Sequence, residues 1–371
     1  MADKLSDRFV YSALIMDKKR IIGALFLGCI LAFPGCRKES LPNDGEIRFS
    51  VGPMQTSTEK PATKFGTLED ALNTNGTIFI YGRRATSVSK SLVFDGTAIT
   101  WDNDNGVWSY GDPKYWNWEA GVNYDFLAVY QPTGIIVSTD CDDTSEPMSL
   151  SVTYNAATSQ YDLMFAGKRR SYNDDGRLST VPLEFHHMLC AVELVATNLS
   201  PSTSVRLNGY HFVNIISRGT AKVTASYDSN GRPSFAWTDP TRTAASVGGT
   251  DTPWDFTETS STHNYGYFDL MIPQDHGELG FSGYPSLSVE YKVLKDNVPI
   301  ESIPVTQVLV PLKDIPVKAS SNLISKWEAG TKYCYEISID PNGGVQIQLI
   351  ITPWDKVNAE TPGLLLPPDL T

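Results

Sequence analysis

The sequence predicts an all-β protein, organised as two tandem β-sandwich domains behind a processed leader. Three observations carry this. Apolar and polar residues alternate with period two along most of the chain, the pattern of strands with one buried face. Turn-forming clusters at Asp102–Gly106, Asp228–Gly231 and Pro341–Gly344 punctuate the alternation. Asn-Gly and Asp-Gly tolerate positive φ, which makes such clusters hairpin signals. Finally, about 335 of the 371 residues remain once the leader is set aside, enough for two domains with a core each.

The leader comes first in the chain. Met16-Asp17-Lys18-Lys19-Arg20 is followed by a thirteen-residue apolar run, Ile21 to Phe33, and then by Pro34-Gly35-Cys36. The run is too short to span a bilayer core, which needs about 20 residues, and has the size of a signal-peptide core. Met16 is the expected start, because Met1 to Ile15 has no place in such a signal. Cleavage after Gly35 would leave Cys36 as the first residue, open to diacylglycerol on sulfur and an acyl (palmitate-type) chain on the amine. Several chains hold a protein at a membrane surface far more firmly than one, at about 0.8 kcal/mol per buried methylene. Phe33 and Pro34 depart from the usual lipobox, which has Leu and a small residue at those places.

Residues 36–45 read as a polar tether, 46–178 as the first sandwich, 179–355 as the second and 356–371 as a C-terminal tail. Ile47, Phe49 and Val51 alternate with polar neighbours and place one apolar face on a first strand. Ile78–Tyr81, Ser91–Phe94 and Tyr124–Tyr130 are further β-branched and aromatic runs, the composition that suits a pleated, half-buried surface. Only Leu68 to Leu72 has helical spacing. The boundary between domains is expected in the polar stretch Arg169 to Thr180, and Thr238 to Thr262 as a long loop within the second domain. Val345 to Ile351 is the expected last strand.

The chain carries 30 Lys/Arg against 42 Asp/Glu, and residues 1–35 hold five and three of these, leaving a mature net charge of −14. Such a surface repels phosphate backbones, so nucleic acid is not an expected partner. Cys141, Cys190 and Cys334 are widely spaced without a CxxC. Zinc is therefore not indicated; one bridge stays open, and Cys190 and Cys334 suit small buried positions. His186-His187 are adjacent on a strand and face opposite ways, one packed and one exposed. His211, His263 and His276 have no Cys or carboxylate at ligand spacing. Asp102, Asp104 and Gly106 fail the EF-hand register and read as a hairpin turn; Asp140, Asp142 and Asp143 read as a solvated acidic turn. No nucleophile elbow, zincin, P-loop or dinucleotide motif is present, so neither a cofactor nor an enzymatic role is expected. The aromatic block Trp101, Trp108, Tyr110, Tyr115, Trp116 and Trp118 could stack on sugar rings, with Trp101, Trp108 and Trp118 as the platform. Alternating Trp and Tyr are also ordinary cross-strand pairs in a sandwich core, and that is the favoured reading. That leaves an alternative reading as a monomeric glycan-binding surface lipoprotein.

Four stretches together resemble the fimbrillin family, lipoprotein pilus subunits and accessory proteins of Gram-negative anaerobes. They are the lipoprotein start with strand Glu46 to Gly52 and the loop ending Ala62-Thr63-Lys64-Phe65; Tyr115-Trp116 with Tyr124 to Pro132; Tyr161-Asp162-Leu163-Met164-Phe165-Ala166 with Leu183 to Leu189; and Trp327 to Ile337 with Ile350 to Trp354. The resemblance implies two transthyretin-like β-sandwiches, a location on the outer membrane or fimbrium, and other fimbrillin-like subunits as partners. It also implies donor-strand exchange. There the first strand, here Ile47, Phe49 and Val51, leaves after a protease cut, and a neighbour's strand takes its groove. The family's cut usually follows Arg, whereas this loop offers Lys60 and Lys64, which tilts the expectation toward a capping or anchoring subunit. The tail Thr361 to Thr371 is the implied donor, with Leu364, Leu365 and Leu366 as its apolar centre between Pro362 and Pro367-Pro368.

Overall fold

The computed structural model describes residues 45–51 and 76–354, apart from 103–104, 106, 133–136, 141–146, 175–179, 201–202, 257–261, 265–267, 278–282, 297, 300–301, 303, 319 and 341–343. All regular elements among these residues are strands, and from Glu46 onward the chain forms one compact unit. The expected helical turn at Leu68 to Leu72 lies outside the described residues.

The first layer is a six-stranded antiparallel sheet. Its order is His186–His187, Met164–Ser171, Asn123–Pro132, Gly76–Ala85, Lys90–Asp102 and Val107–Ser109. Both of its faces are covered. Tyr124, Phe126, Ala128 and Tyr130 point into one core with Ile78, Ile80, Phe94 and Trp108, while Leu127, Val129 and Phe165 point into a second, larger core. A sheet buried on both sides reads in sequence as a continuous apolar run, which explains the near absence of polar residues between Tyr124 and Tyr130. The exception is Asp125, which is buried and held by two guanidinium groups. Arg169 Nε and Nη2 donate to it at 2.8 and 3.2 Å, and Arg83 Nη2 donates at 3.4 Å. The Arg169 guanidinium also lies over the ring of Tyr227, whose hydroxyl burial pushes well above the ordinary tyrosine range.

Tyr227 belongs to a four-stranded antiparallel sheet in the order Pro233–Arg242, Ile216–Tyr227, Ser149–Asn155 and Val137–Asp140. Two of its strands precede residues 178/179 and two follow them, so this sheet draws on both sides of the expected domain boundary. Phe235 stacks on Phe165 of the first sheet with ring centres 4.9 Å apart, and Trp237 Nε1 donates to the Met188 carbonyl at 3.1 Å.

Among the described residues, the two-stranded pairs Phe49–Val51 with Val181–Leu183 and Ile315–Pro316 with Leu323–Ile324 accompany two further large sheets. One runs Thr262–Asn264, Cys190–Asn198, Thr331–Asp340, Gly344–Pro353, with Asp269–Met271 also on the second strand. The central pair is parallel, Ala191 opposite Lys332 through Asn198 opposite Ile339, as befits strands far apart in sequence. The other sheet centres on Ser204–Val213 and Ser286–Lys295, flanked by Val247–Thr250, Trp254–Phe256, Val298–Pro299 and Thr306–Pro311. Their inner faces share the larger core, in which Trp327, Tyr333 and Tyr335 are buried.

The hairpin signals are confirmed where they can be seen. Asp102 Oδ1 accepts from the Asn105 amide, and Asp228 Oδ1 accepts from the amides of Asn230 and Arg232 around Gly231 at φ +78°. The stretch Thr238 to Thr262 is not one long loop. It contributes edge strands to three sheets, among them Val247–Thr250, where Gly248 and Gly249 take positive φ. A side chain on Gly249 would collide with the Tyr210 carbonyl, so glycine lets this edge cross the neighbouring strand closely. Such short edges carry too few residues for a periodic signal.

Candidate functional site: the first strand and its groove

The segment beginning at Glu46 is inserted between two parts of the N-terminal core. Phe49–Val51 pairs in parallel with Val181–Leu183, Phe49 opposite Val181 and Val51 opposite Leu183. The Val181 amide donates to the Arg48 carbonyl at 2.7 Å and the Ile47 amide to the Lys114 carbonyl at 2.8 Å. Glu46 forms an antiparallel bridge with Tyr115. The main-chain attachment is therefore short on both sides. The side chains do far more. Ile47 and Phe49 are buried and Val51 packs against the same core, so the alternation read from sequence does set one apolar face. The Phe49 ring meets Phe94, Phe126 and Tyr110 edge-on at 5.3, 5.5 and 6.1 Å, the preferred geometry for aromatic pairs. Arg48 points outward and pairs with Glu46 at 2.9 Å.

Tyr110 closes the groove, donating its hydroxyl proton to the Ile47 carbonyl. Burial pushes its pKa up to about 12. Sequence alone places Tyr110 only within an aromatic block; a contact 63 residues away in the chain has no local signal.

The remaining expected site residues divide as follows. Gly35, Cys36, Lys60, Lys64, Cys141 and Leu364 to Leu366 lie outside the described residues. Cys190 and Cys334 are free and buried, and burial raises both thiols above their usual range. Trp101, Trp108 and Trp118 do not share one exposed surface. Trp108 is buried and Trp101 meets it edge-on at 5.6 Å from the exposed side; Trp118 is half-buried and stacks on Trp116 at 5.1 Å. His186 and His187 are both half-buried rather than one packed and one exposed, because each sheet face is covered. His187 lies flat on Trp354, ring centres 3.8 Å apart, with Nδ1 2.8 Å from Asp162 Oδ2. His211 gains a carboxylate that its sequence neighbours do not offer, Asp251 at 2.8 Å. Among the described residues no cluster of three His, Cys, Asp or Glu is placed to hold a metal, and no helix is long and apolar enough to cross a membrane.

A family model described as fimbrillin-like matches residues 66–354, beginning after the first strand. No curated protein matches the chain. Solved structures that align with the chain include a candidate cell adhesion protein from Bacteroides uniformis (15% identity, TM-score 0.42, covering 84% of this chain and 99% of that one). A fimbrilin from Porphyromonas gingivalis aligns at 12% identity and TM-score 0.44, covering 85% and 99%. The tip fimbrial protein Mfa3 of the same organism, truncated at its C-terminus, aligns at 10% and 0.33, covering 76% and 96%.

Proposed function

The chain belongs to the fimbrillin-like family, and from that premise we propose that it is a pilus subunit, or an accessory or anchoring subunit, joined to its neighbours by strand exchange. The observation that supports this most is the first strand itself. It fills the N-terminal core with Ile47 and Phe49 while its ladder to Val181–Leu183 is three residues long. Its departure would uncover an apolar slot lined by Phe94, Tyr110 and Phe126, together with the freed amide of Val181. An extended segment with apolar residues at alternate positions meets both needs, main-chain pairing and filled pockets. Leu364 to Leu366 of a neighbouring copy or a related subunit is the proposed donor.

In the same reading, Cys36 carries the lipid that brings the precursor to the outer membrane surface, and cleavage at Lys60 or Lys64 would free the first strand. Without that cleavage the strand stays, the slot stays filled, and the subunit caps or anchors a fibre through its lipid. The test is the mass of the mature N-terminus on surface-shed material. A start at Phe65 in multimers that resist mild denaturant supports exchange. A lipidated Cys36 alone, with no such multimers, rejects a shaft role.

A glycan-binding role has one observation in its favour, the exposed ring of Trp101. It is the weaker reading, because Trp108 is buried and cannot extend the platform. Indole fluorescence unchanged by added polysaccharides would remove it.

A further inference from the structure

We propose that His187 and Asp162 form a proton-operated clamp on Trp354, the residue from which the C-terminal tail departs. This rests on the tail acting as a donor, as proposed above. The three residues come from separate parts of the fold. His187 is on the edge strand His186–His187, opposite Met164. Asp162 lies just ahead of strand Met164–Ser171, and Trp354 directly follows the last strand, Gly344–Pro353. Residues 355–371 follow Trp354.

The geometry favours a charged imidazole. Its ring lies parallel to the indole, at 5° and 3.8 Å between centres, and an imidazolium on that face gains a cation–π attraction. Nδ1 is 2.8 Å from Asp162 Oδ2, with the two side chains only 10% and 20% exposed, so solvent screens the pair weakly. Asp162 Oδ1 is buried and has no hydrogen-bond partner among the described residues, which leaves this carboxylate dependent on a nearby positive charge. The indole is held from its other side by Phe268, edge-on at 5.8 Å, and the Trp354 amide donates to the Gly330 carbonyl at 3.0 Å.

The other titratable groups around the clamp are few. Tyr130 and Tyr154 feel the Asp162 charge, Tyr161 is its chain neighbour, and Asp228 interacts with His186. On the far side Lys332 lies over Phe268 and is paired with Glu193 at 2.8 Å. Asp355 and Lys356 follow outside the described residues. An ordinary imidazole titrates near pH 6.5. Mild acid therefore tightens the root of the tail, and mild alkali loosens it.

The test is hydrogen exchange of the Trp354 amide in the mature full-length chain, expressed as protection relative to the intrinsic rate at each pH. Protection is expected to be about tenfold higher at pH 5.5 than at pH 8, and to lose that dependence in His187→Gln. A wild-type protection that does not change with pH, or that changes equally in His187→Gln, overturns the clamp. Should the variant fail to fold, wild type decides alone: the His187 imidazole titration followed by NMR and the Trp354 protection must share one midpoint, and separate midpoints overturn the proposal. A chain ending at Trp354 separates the two ideas. If it still forms multimers, the donor reading fails while the clamp is measured as before.

Discussion

The first and last strands of the described fold contrast in how they are held. Phe49–Val51 is three residues long, pairs in parallel at an edge, and is retained by a plug of two buried side chains. Gly344–Pro353 is ten residues long and pairs along its whole length with Thr331–Asp340 in an antiparallel ladder. Its inner face adds Leu349 to the larger core. A strand held by its ladder cannot leave without breaking many hydrogen bonds in series. One held by its side chains can be traded for another with matching side chains. On the strand-exchange proposal, the difference would separate the part of the molecule that leaves from the frame that stays.

The most damaging way to test this contrast is to cut into the frame. Tyr335 is fully buried beside the last strand and its hydroxyl accepts from Trp327 Nε1 at 2.9 Å. Tyr335→Ala leaves a cavity and an orphaned indole donor, expected to cost about 4–5 kcal/mol. Urea unfolding of the whole unit should move to lower midpoint in a single transition. Phe49→Ala is expected to cost about 3–4 kcal/mol but with a local outcome. Dye binding to exposed apolar surface should rise while the near-ultraviolet signal of the C-terminal sheets persists. If both variants unfold the protein in one step, the first strand is part of the frame and the contrast fails.

Next in size are two buried groups of the C-terminal half that oppose each other with pH. Burial holds His276 neutral, with its pKa down at about 4 against an ordinary 6.5. The unfolded chain takes up a proton between those values and the folded chain does not, so stability falls as pH drops from about 6.5 to 4. Burial raises Asp269 to about 6 from an ordinary 3.8. There the folded chain keeps a proton that the unfolded chain has released, so stability falls as pH rises from about 3.8 to 6. Each effect approaches about 3 kcal/mol at its limit, and in the native sequence they offset. Asp269→Asn should therefore make the protein acid-sensitive across this window, and His276→Leu should make it less stable as pH rises. Urea midpoints at pH 4.5 and 6.5 would show this; parallel shifts in both variants would refute it. The smallest expected effect is Tyr110→Phe, which removes one hydrogen bond to the first strand at about 1 kcal/mol. It should raise exchange of the Ile47 amide without moving the global midpoint.

Much of this architecture was legible in the chain. Alternation located the first strand and the last, because a half-buried strand writes its own period, while a β-branched and aromatic run located Tyr124 to Tyr130, which is buried on both faces. Asn230-Gly231 marked a real hairpin because positive φ is a local demand. What was not legible depends on distant partners. Nothing near Ser149–Asn155 announces that it will pair with Ile216–Tyr227, and Tyr110 carries no mark of its bond to Ile47. The edge strands within Thr238 to Thr262 are too short to show a period. His187 looked like half of a histidine pair until Trp354, 167 residues later in the sequence, was brought against it.

The four-stranded sheet that takes strands from both sides of residue 178 has a consequence for how the protein would come apart. A single nick between residues 174 and 180 would yield two polypeptides on a denaturing gel. In native buffer they should still migrate as one particle, since Ser149–Asn155 of one piece remains laced to Ile216–Tyr227 of the other through seven matched residues.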